Sequence, residues 1–185
     1  MKEKRDVYSV DIYGVKRDLV LFEVAPGLRI AILNILGDVE LTVAAAKGLA
    51  EKLNETDYDL FVTAEAKSIP VAHAIAFETQ KPYVVLRKSY KPYMGDAITA
   101  ETLSITTGKK QSLVLDEKDH LLMKGKKVVL LDDVISTGST LESMKEIVEK
   151  AGATVVANAA ICTEGDPCDW SNVVALAHLP LFKAE

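Results

Sequence analysis

VVLLDDVISTGST, residues 128–140, runs from four apolar residues through two adjacent carboxylates into a group of hydroxyls around one glycine. An unbroken apolar run of this length, bounded by charge, reads as a strand buried on both faces, as in a parallel sheet. Just beyond it Leu141, Met144, Ile147, Val148 and Ala151 recur at helical spacing, and Gly152 follows where a helix ends. The stretch is therefore the strand-to-helix step of a βαβ chain.

The same alternation extends in both directions. YDLFVTAE (58–65), PYVVLRK (82–88), ATVVANAAICT (153–163) and VVALAHL (173–179) read as further strands, and KKVVLLDD (126–133) as the strongest. IPVAHAIAFETQ (69–80) reads as a helix. Another helix begins behind Asp38 as its N-cap, with Val39, Val43, Leu49 and Leu53 on its apolar face. The expected fold class is α/β: a doubly wound, mostly parallel central sheet with helices on both faces.

Composition sets the outer limits. A chain of 185 residues with 49% apolar and 26% charged residues is that of one ordinary globular domain. The net charge of -5 argues against a sequence-independent grip on nucleic acid, which needs Lys and Arg to displace counterions. No apolar run is long enough to span a membrane, and MKEKRDVYSVD lacks the apolar core of a signal peptide, so a cytoplasmic location is expected. Cys162 and Cys168 have neither zinc nor redox spacing, and His73, His120 and His178 lie far apart without a ligand cluster. Between Lys88 and His120 the periodicity fails, with Tyr90, Pro92, Tyr93, Gly95, Thr106, Thr107 and Gly108 among polar residues. So long an interruption reads as a lid or binding element, with room for a hairpin.

In open parallel sheets ligands bind beyond the carboxyl ends of the strands, where Asp132 and Asp133 emerge. Ionised carboxylates only accept hydrogen bonds, so an adjacent pair suits a sugar cis-diol or a hydrated Mg²⁺ and repels phosphate. Ser136, Thr137, Gly138, Ser139 and Thr140 then turn into a helix, where free N–H groups, hydroxyls and the helix dipole favour a phosphate monoester. Together they imply a phosphorylated ribose. A P-loop reading fails, because neither Gly108-Lys109 nor Gly125-Lys126 has a glycine five residues earlier.

Strand, acid pair and hydroxyl-rich turn in this order resemble the phosphoribosyl-pyrophosphate (PRPP) signature of the type I phosphoribosyltransferases, and over roughly residues 20–165 the chain looks like their purine branch. TAEAKSIPVAHAIA sits where those families hold pyrophosphate, so the resemblance implies pyrophosphate contacts from Glu65, Ala66, Lys67 and Ser68. VVLRK resembles their strand ending in Arg-Lys, adding Arg87 and Lys88 as pyrophosphate contacts and anchors of the lid. The resemblance also implies a purine base under a small N-terminal hood that includes LVLFEVAPGL, with Phe22 and Val134 as base contacts and Tyr90 and Tyr93 in a flexible lid. On this reading one domain divides into a hood (1–35), a core (36–165) and a lid (88–120).

The implied reaction passes 5-phosphoribosyl from PRPP to a purine, giving a nucleoside 5′-monophosphate and pyrophosphate. Negative charge beside an oxocarbenium-like ribose and positive charge beside the leaving group are what such a site needs, with Asp132 and Asp133 supplying the former. The resemblance implies Mg²⁺ held mainly through PRPP, pyrophosphate and water, and a homodimer. Adenine is the favoured base. Xanthine or another 6-oxopurine is the second choice, and a non-catalytic PRPP sensor the third. The chain departs from the adenine enzymes at Glu23 and Val24, where they carry an Arg-Asp pair, at Ser68, where glycine is usual, and in ETLSITTG, which lacks their tyrosine. Trp170 reads either as a cover for the base or, more commonly for such an aromatic, as packing.

Overall fold

The computed structural model describes residues 5–103 and 110–183. In chain order these form β1 (Val7–Ile12), β2 (Val15–Ala25), β3 (Leu28–Ala31), α1 (Val39–Lys52), β4 (Leu60–Ala64), α2 (Ile69–Thr79) and β5 (Tyr83–Leu86). There follow β6 (Ile98–Leu103), β7 (Lys110–Leu115), α3 (Glu117–Met123), β8 (Lys127–Ile135), α4 (Ser139–Lys150), β9 (Thr154–Glu164), β10 (Val173–Leu179) and β11 (Phe182–Lys183).

Five strands make the central sheet in the order β10-β9-β8-β4-β5, every neighbouring pair parallel. Alternation along each strand sends successive side chains to opposite faces. Phe61, Val129 and Leu131 enter one core with Leu41, Ala45 and Leu49 of α1 and Val71, Ala72 and Ile75 of α2. Leu60, Val62, Val128 and Leu130 enter a second core with Met144, Ile147 and Val148 of α4. Both faces are covered, which is why the strand sequences are apolar throughout instead of alternating with polar residues.

Helix α1 begins at Asp38, whose Oδ1 accepts the Leu41 N–H at 3.1 Å. Arg17 of β2 grips the same carboxylate through Nε and Nη2 at 2.7 and 2.9 Å and so fixes the helix phase. In that phase Val39 and Val43 are exposed and the buried stripe runs through Leu41, Ala45 and Leu49, which corrects the face expected from sequence. The small residues Ala46 and Gly48 complete that stripe, and a pattern search weighted to large residues passes over them.

A second, antiparallel sheet has the order β1-β2-β3-β11. Its first hairpin turns at Tyr13-Gly14, both with positive φ, the two-residue turn that matches strand twist. The end of the chain returns to this sheet, with Phe182 edge to face on Tyr8 at 5.3 Å between ring centroids. Strands β6 and β7 pair antiparallel and are tied to the central sheet by reciprocal backbone bonds of 2.9 and 2.8 Å between Arg87 and Val114. Ala100, Leu113 and Leu115 of this region lie in the α4 core, so part of the interrupted segment is packed structure. Thr106, Thr107 and Gly108 lie outside the described residues.

Candidate functional site

Strand β8 runs on to Ile135, two residues past the point expected from sequence. Its pairing with β4 stops at Leu131, whereas its pairing with β9 continues through Asp132, Val134 and Ile135. The β4 side of β8 is thereby left open at Asp132, and the chain leaving β4 folds across the gap. There it forms a cavity of about 270 Å³ lined by Glu65, Ala66, Lys67, Ser68, Lys88, Asp132, Asp133, Val134 and Thr140 among others. Three separate sequence stretches thus converge on one space.

Within it the carboxylates have different surroundings. Asp132 Oδ1 accepts from Ser68 Oγ at 3.0 Å and from the Asp133 N–H at 2.9 Å. Burial, and then the neighbouring Asp133 carboxylate, push the Asp132 carboxyl up to about 7. Asp133 is buried, and its Oδ2 lies 2.7 Å from Lys67 Nζ in an ion pair. The Lys67 ammonium also donates to Leu33 O at 3.3 Å. Glu164, at the end of β9, is buried as well; burial raises its carboxyl, and the Lys67 charge offsets part of that rise. Lys67 is therefore the cation set among acids that would otherwise repel one another.

Glu65 and Arg87 bind each other, with Arg87 Nε 2.6 Å from Glu65 Oε2, and the Lys88 N–H donates to Glu65 Oε1 at 2.6 Å. Burial alone would raise the Glu65 carboxyl, but the Lys88 N–H and the Arg87 guanidinium outweigh it and hold it below the usual range. Glu65 lines the cavity and at the same time forms, with Arg87, a strut joining the 65–68 loop to the end of β5. The Glu65-Ala66 peptide is cis.

Ser136–Thr140 form a shallow concavity of their own, shared with Asp132 and Val134. Gly138 adopts φ +78°, and the first helical bond of α4 runs from the Glu142 N–H to Gly138 O at 2.9 Å. The N–H groups between them lie in the first turn, where no helical acceptor exists. Thr137 Oγ1 and Ser139 Oγ stand 3.1 Å apart across the mouth of this turn.

The remaining candidates are scattered. Phe22 is exposed and lines a different cavity, about 450 Å³, with Arg17, Ile32, Leu33 and Asn34, so it shares no cavity with Val134. Tyr93 and Tyr90 are exposed beyond β5, Tyr90 donating to Gly95 O at 3.3 Å. Sequence reading missed Glu164 and the Leu33 carbonyl, because neither belongs to a motif. It also missed that Trp170 reaches the Ser136–Thr140 turn, where the ring lies against Gly138.

The arrangement presents acids at the ends of β8 and β9, cations and a loop start on one flank, and a hydroxyl- and N–H-rich turn on the other. A family model described as the phosphoribosyl transferase domain matches residues 34–176. The adenine phosphoribosyltransferase of Thermosipho africanus is 36% identical over 124 residues, which make up 66% of this chain and 69% of that protein. The hypoxanthine/guanine phosphoribosyltransferase of Methanococcus voltae is 38% identical over 112 residues, 60% of this chain and only 56% of that protein. Among solved structures, the APRTase of Giardia lamblia complexed with 9-deazaadenine superposes with a TM-score of 0.67 at 16% identity, covering 93% of each chain. At that identity the likeness speaks for the fold.

Proposed function

Since the chain belongs to the phosphoribosyl transferase domain family, we propose that it transfers 5-phosphoribosyl from PRPP to a purine base, with adenine the favoured acceptor, releasing pyrophosphate and a nucleoside 5′-monophosphate. One observation carries this reading: Asp132, Asp133 and Thr140 line one cavity with the 65–68 loop, so diol acceptors and two anion subsites adjoin.

On this reading Asp132 and Asp133 accept hydrogen bonds from the two ribose hydroxyls. The Ser136–Thr140 turn donates to the 5′-phosphate, with Gly138 letting the backbone come close. The loop at Ala66, Lys67 and Ser68, with Lys88, faces the pyrophosphate, and Glu65 and Arg87 hold that loop in place. As the bond from C1′ to pyrophosphate breaks, the carboxylates lie on the side where the sugar gains positive charge and the lysines where the leaving group gains negative charge. Lys67 leaves Asp133 for pyrophosphate and frees that carboxylate for the diol.

Mg²⁺ fits this site as a companion of the substrate. Two adjacent carboxylates are hard oxygen acceptors suited to its water shell, and it usually binds through phosphates with few protein ligands. Asp132 and Asp133 would hold it there, and when bound it neutralises charge on the departing pyrophosphate.

The Methanococcus voltae relative supports hypoxanthine or guanine as a second reading of the base. Exposed Leu36, Val39 and Val43 on and before α1 and Phe77 on α2 support a homodimer, because apolar side chains of this size favour burial against a partner. No described helix is long and apolar enough to cross a membrane, and a cytoplasmic location is part of the proposal. Isotope-labelled PRPP with Mg²⁺ and adenine, hypoxanthine, guanine or xanthine tests the whole. One labelled nucleotide identifies the acceptor, whereas PRPP binding without turnover on any base overturns the enzyme in favour of a sensor.

A further inference from the structure

Trp170 is the chain's one tryptophan and ends the short 3-10 turn Pro167–Trp170 that follows β9. This segment is held at several points. Asp166 Oδ1 accepts the Cys168 N–H at 2.9 Å, and the Gly165 N–H donates to Leu179 O at 3.2 Å. His178 Nε2 lies 3.1 Å from Gly165 O, which can only accept, so that nitrogen carries the proton. In the neutral ring Nδ1 then accepts from Thr163 Oγ1 at 3.0 Å. The indole N–H donates to Glu164 O at 2.8 Å and fixes the plane of the ring.

The far edge of that ring meets the phosphate-type loop. Its Cη2 and Cζ3 stand 3.2 and 3.5 Å from where a β-carbon on residue 138 would be. The concavity of the loop is lined by β8, the loop itself and the start of α4, so the ring acts through the loop and not on a ligand. A turn built around a glycine at φ +78° has many alternatives to lose on binding, and a rigid plane behind it removes part of that cost in advance.

We infer that Trp170 is a positioning residue for the 5′-phosphate: its ring backs the Ser136–Thr140 turn at Gly138 and keeps the turn shaped for a phosphate monoester. This rests on the proposed ribose-phosphate site. The indole adds no charge, so its effect is on the geometry of that one subsite and leaves the pyrophosphate flank unaffected.

Calorimetry of the full chain with ribose 5-phosphate, and separately with inorganic pyrophosphate, tests it. Trp170→Ala is expected to weaken ribose 5-phosphate binding about tenfold and leave pyrophosphate binding unchanged, while Trp170→Phe, which keeps a ring, recovers most of the loss. In turnover the KM for PRPP rises and kcat holds. Trp170→Leu, apolar but not planar, takes the place of the alanine variant should that one fail to fold. Wild-type affinity for ribose 5-phosphate in a folded Ala or Leu variant overturns the inference, and so does an equal loss for both ligands. Absence of ribose 5-phosphate binding by the wild-type chain overturns the site reading and this inference with it.

Discussion

Ser68 Oγ lies 3.0 Å from Asp132 Oδ1 and 3.1 Å from Ala64 O, so one hydroxyl proton stands between two acceptors. With Asp132 ionised the proton goes to the carboxylate; with Asp132 protonated the carboxyl can donate to Ser68, which then donates to Ala64 O. Ser68 stands where the resembled families carry glycine, and here it lowers the cost of ionising a partly buried acid. Ser68→Ala is expected to make ribose 5-phosphate binding about fivefold weaker at neutral pH and to lose that deficit at higher pH, where Asp132 ionises without help. Calorimetry at two pH values checks this, and a deficit that does not change with pH counts against it.

The raised Asp132 carboxyl also makes a stability prediction. Its folded-state value of about 7 lies above the ordinary carboxyl value, so the folded chain binds the extra proton between the two. The stabilisation from this group is complete below about pH 4 and is lost as pH rises through about 7. Asp132→Asn removes this pH dependence. The Tm advantage of the variant over the parent chain should therefore grow from pH 5 to pH 8, and thermal melts at the two pH values measure it. Ribose binding should move the opposite way, since it needs the carboxylate.

Lys67 and Asp133 form the 2.7 Å ion pair of the site, with Lys67 about half exposed and Asp133 buried. Solvent screens the exposed partner, so the pair itself contributes little, but Lys67→Met leaves Asp133 and Glu164 without their cation. We expect a loss of about 1–2 kcal/mol in urea unfolding, with Asp133→Asn in the same background recovering part of it. Strict additivity of the two substitutions would show that the pair is not coupled.

How much of this was legible in the sequence depends on the range of each interaction. The parallel sheet could be read because Val128–Leu131 and Leu60–Val62 are apolar on both faces, a property local to each strand. The acid pair and the glycine-containing turn could be read for the same reason. Phe22 enters as a base contact through the resemblance alone, whereas its cavity is set by the pairing of β2 with β3, in which it stands opposite Ile30. Glu65 and Arg87 are 22 residues apart and meet only because β4 and β5 are adjacent. The pairing of β11 with β3 joins opposite ends of the chain, and two residues of strand carry too little pattern to announce it.

Glu65 makes the reverse pH argument. Its carboxyl is held below the usual range by the Lys88 N–H and Arg87 despite the opposing effect of burial. The stabilisation is thus present above the unfolded value and lost as pH falls through the lower folded value. Glu65→Gln should narrow the stability gap to the parent chain as pH drops below about 4, and should weaken pyrophosphate binding several-fold at neutral pH by loosening the 65–68 loop. Thermal melts and calorimetry read the two effects separately.

Phe22 gives the sharpest test of where the base binds. Phe22 is 59% exposed and lines the cavity of Arg17, Ile32 and Asn34, while Val134 lines the cavity of the acid pair. On the proposed reading a base attached at C1′ stays close to the carboxylates that accept from the ribose hydroxyls, which puts Val134 within its reach and leaves Phe22 on a separate cavity. Phe22→Ala is accordingly expected to change the KM for the purine by less than about twofold, within the range of a surface substitution, and kcat not at all. Val134→Ala should raise that KM about three- to tenfold, because it removes apolar area from the base's surroundings. Initial rates at saturating PRPP distinguish the two. A tenfold effect at Phe22 would mean that the two cavities join in the bound state and that the N-terminal sheet closes over the base.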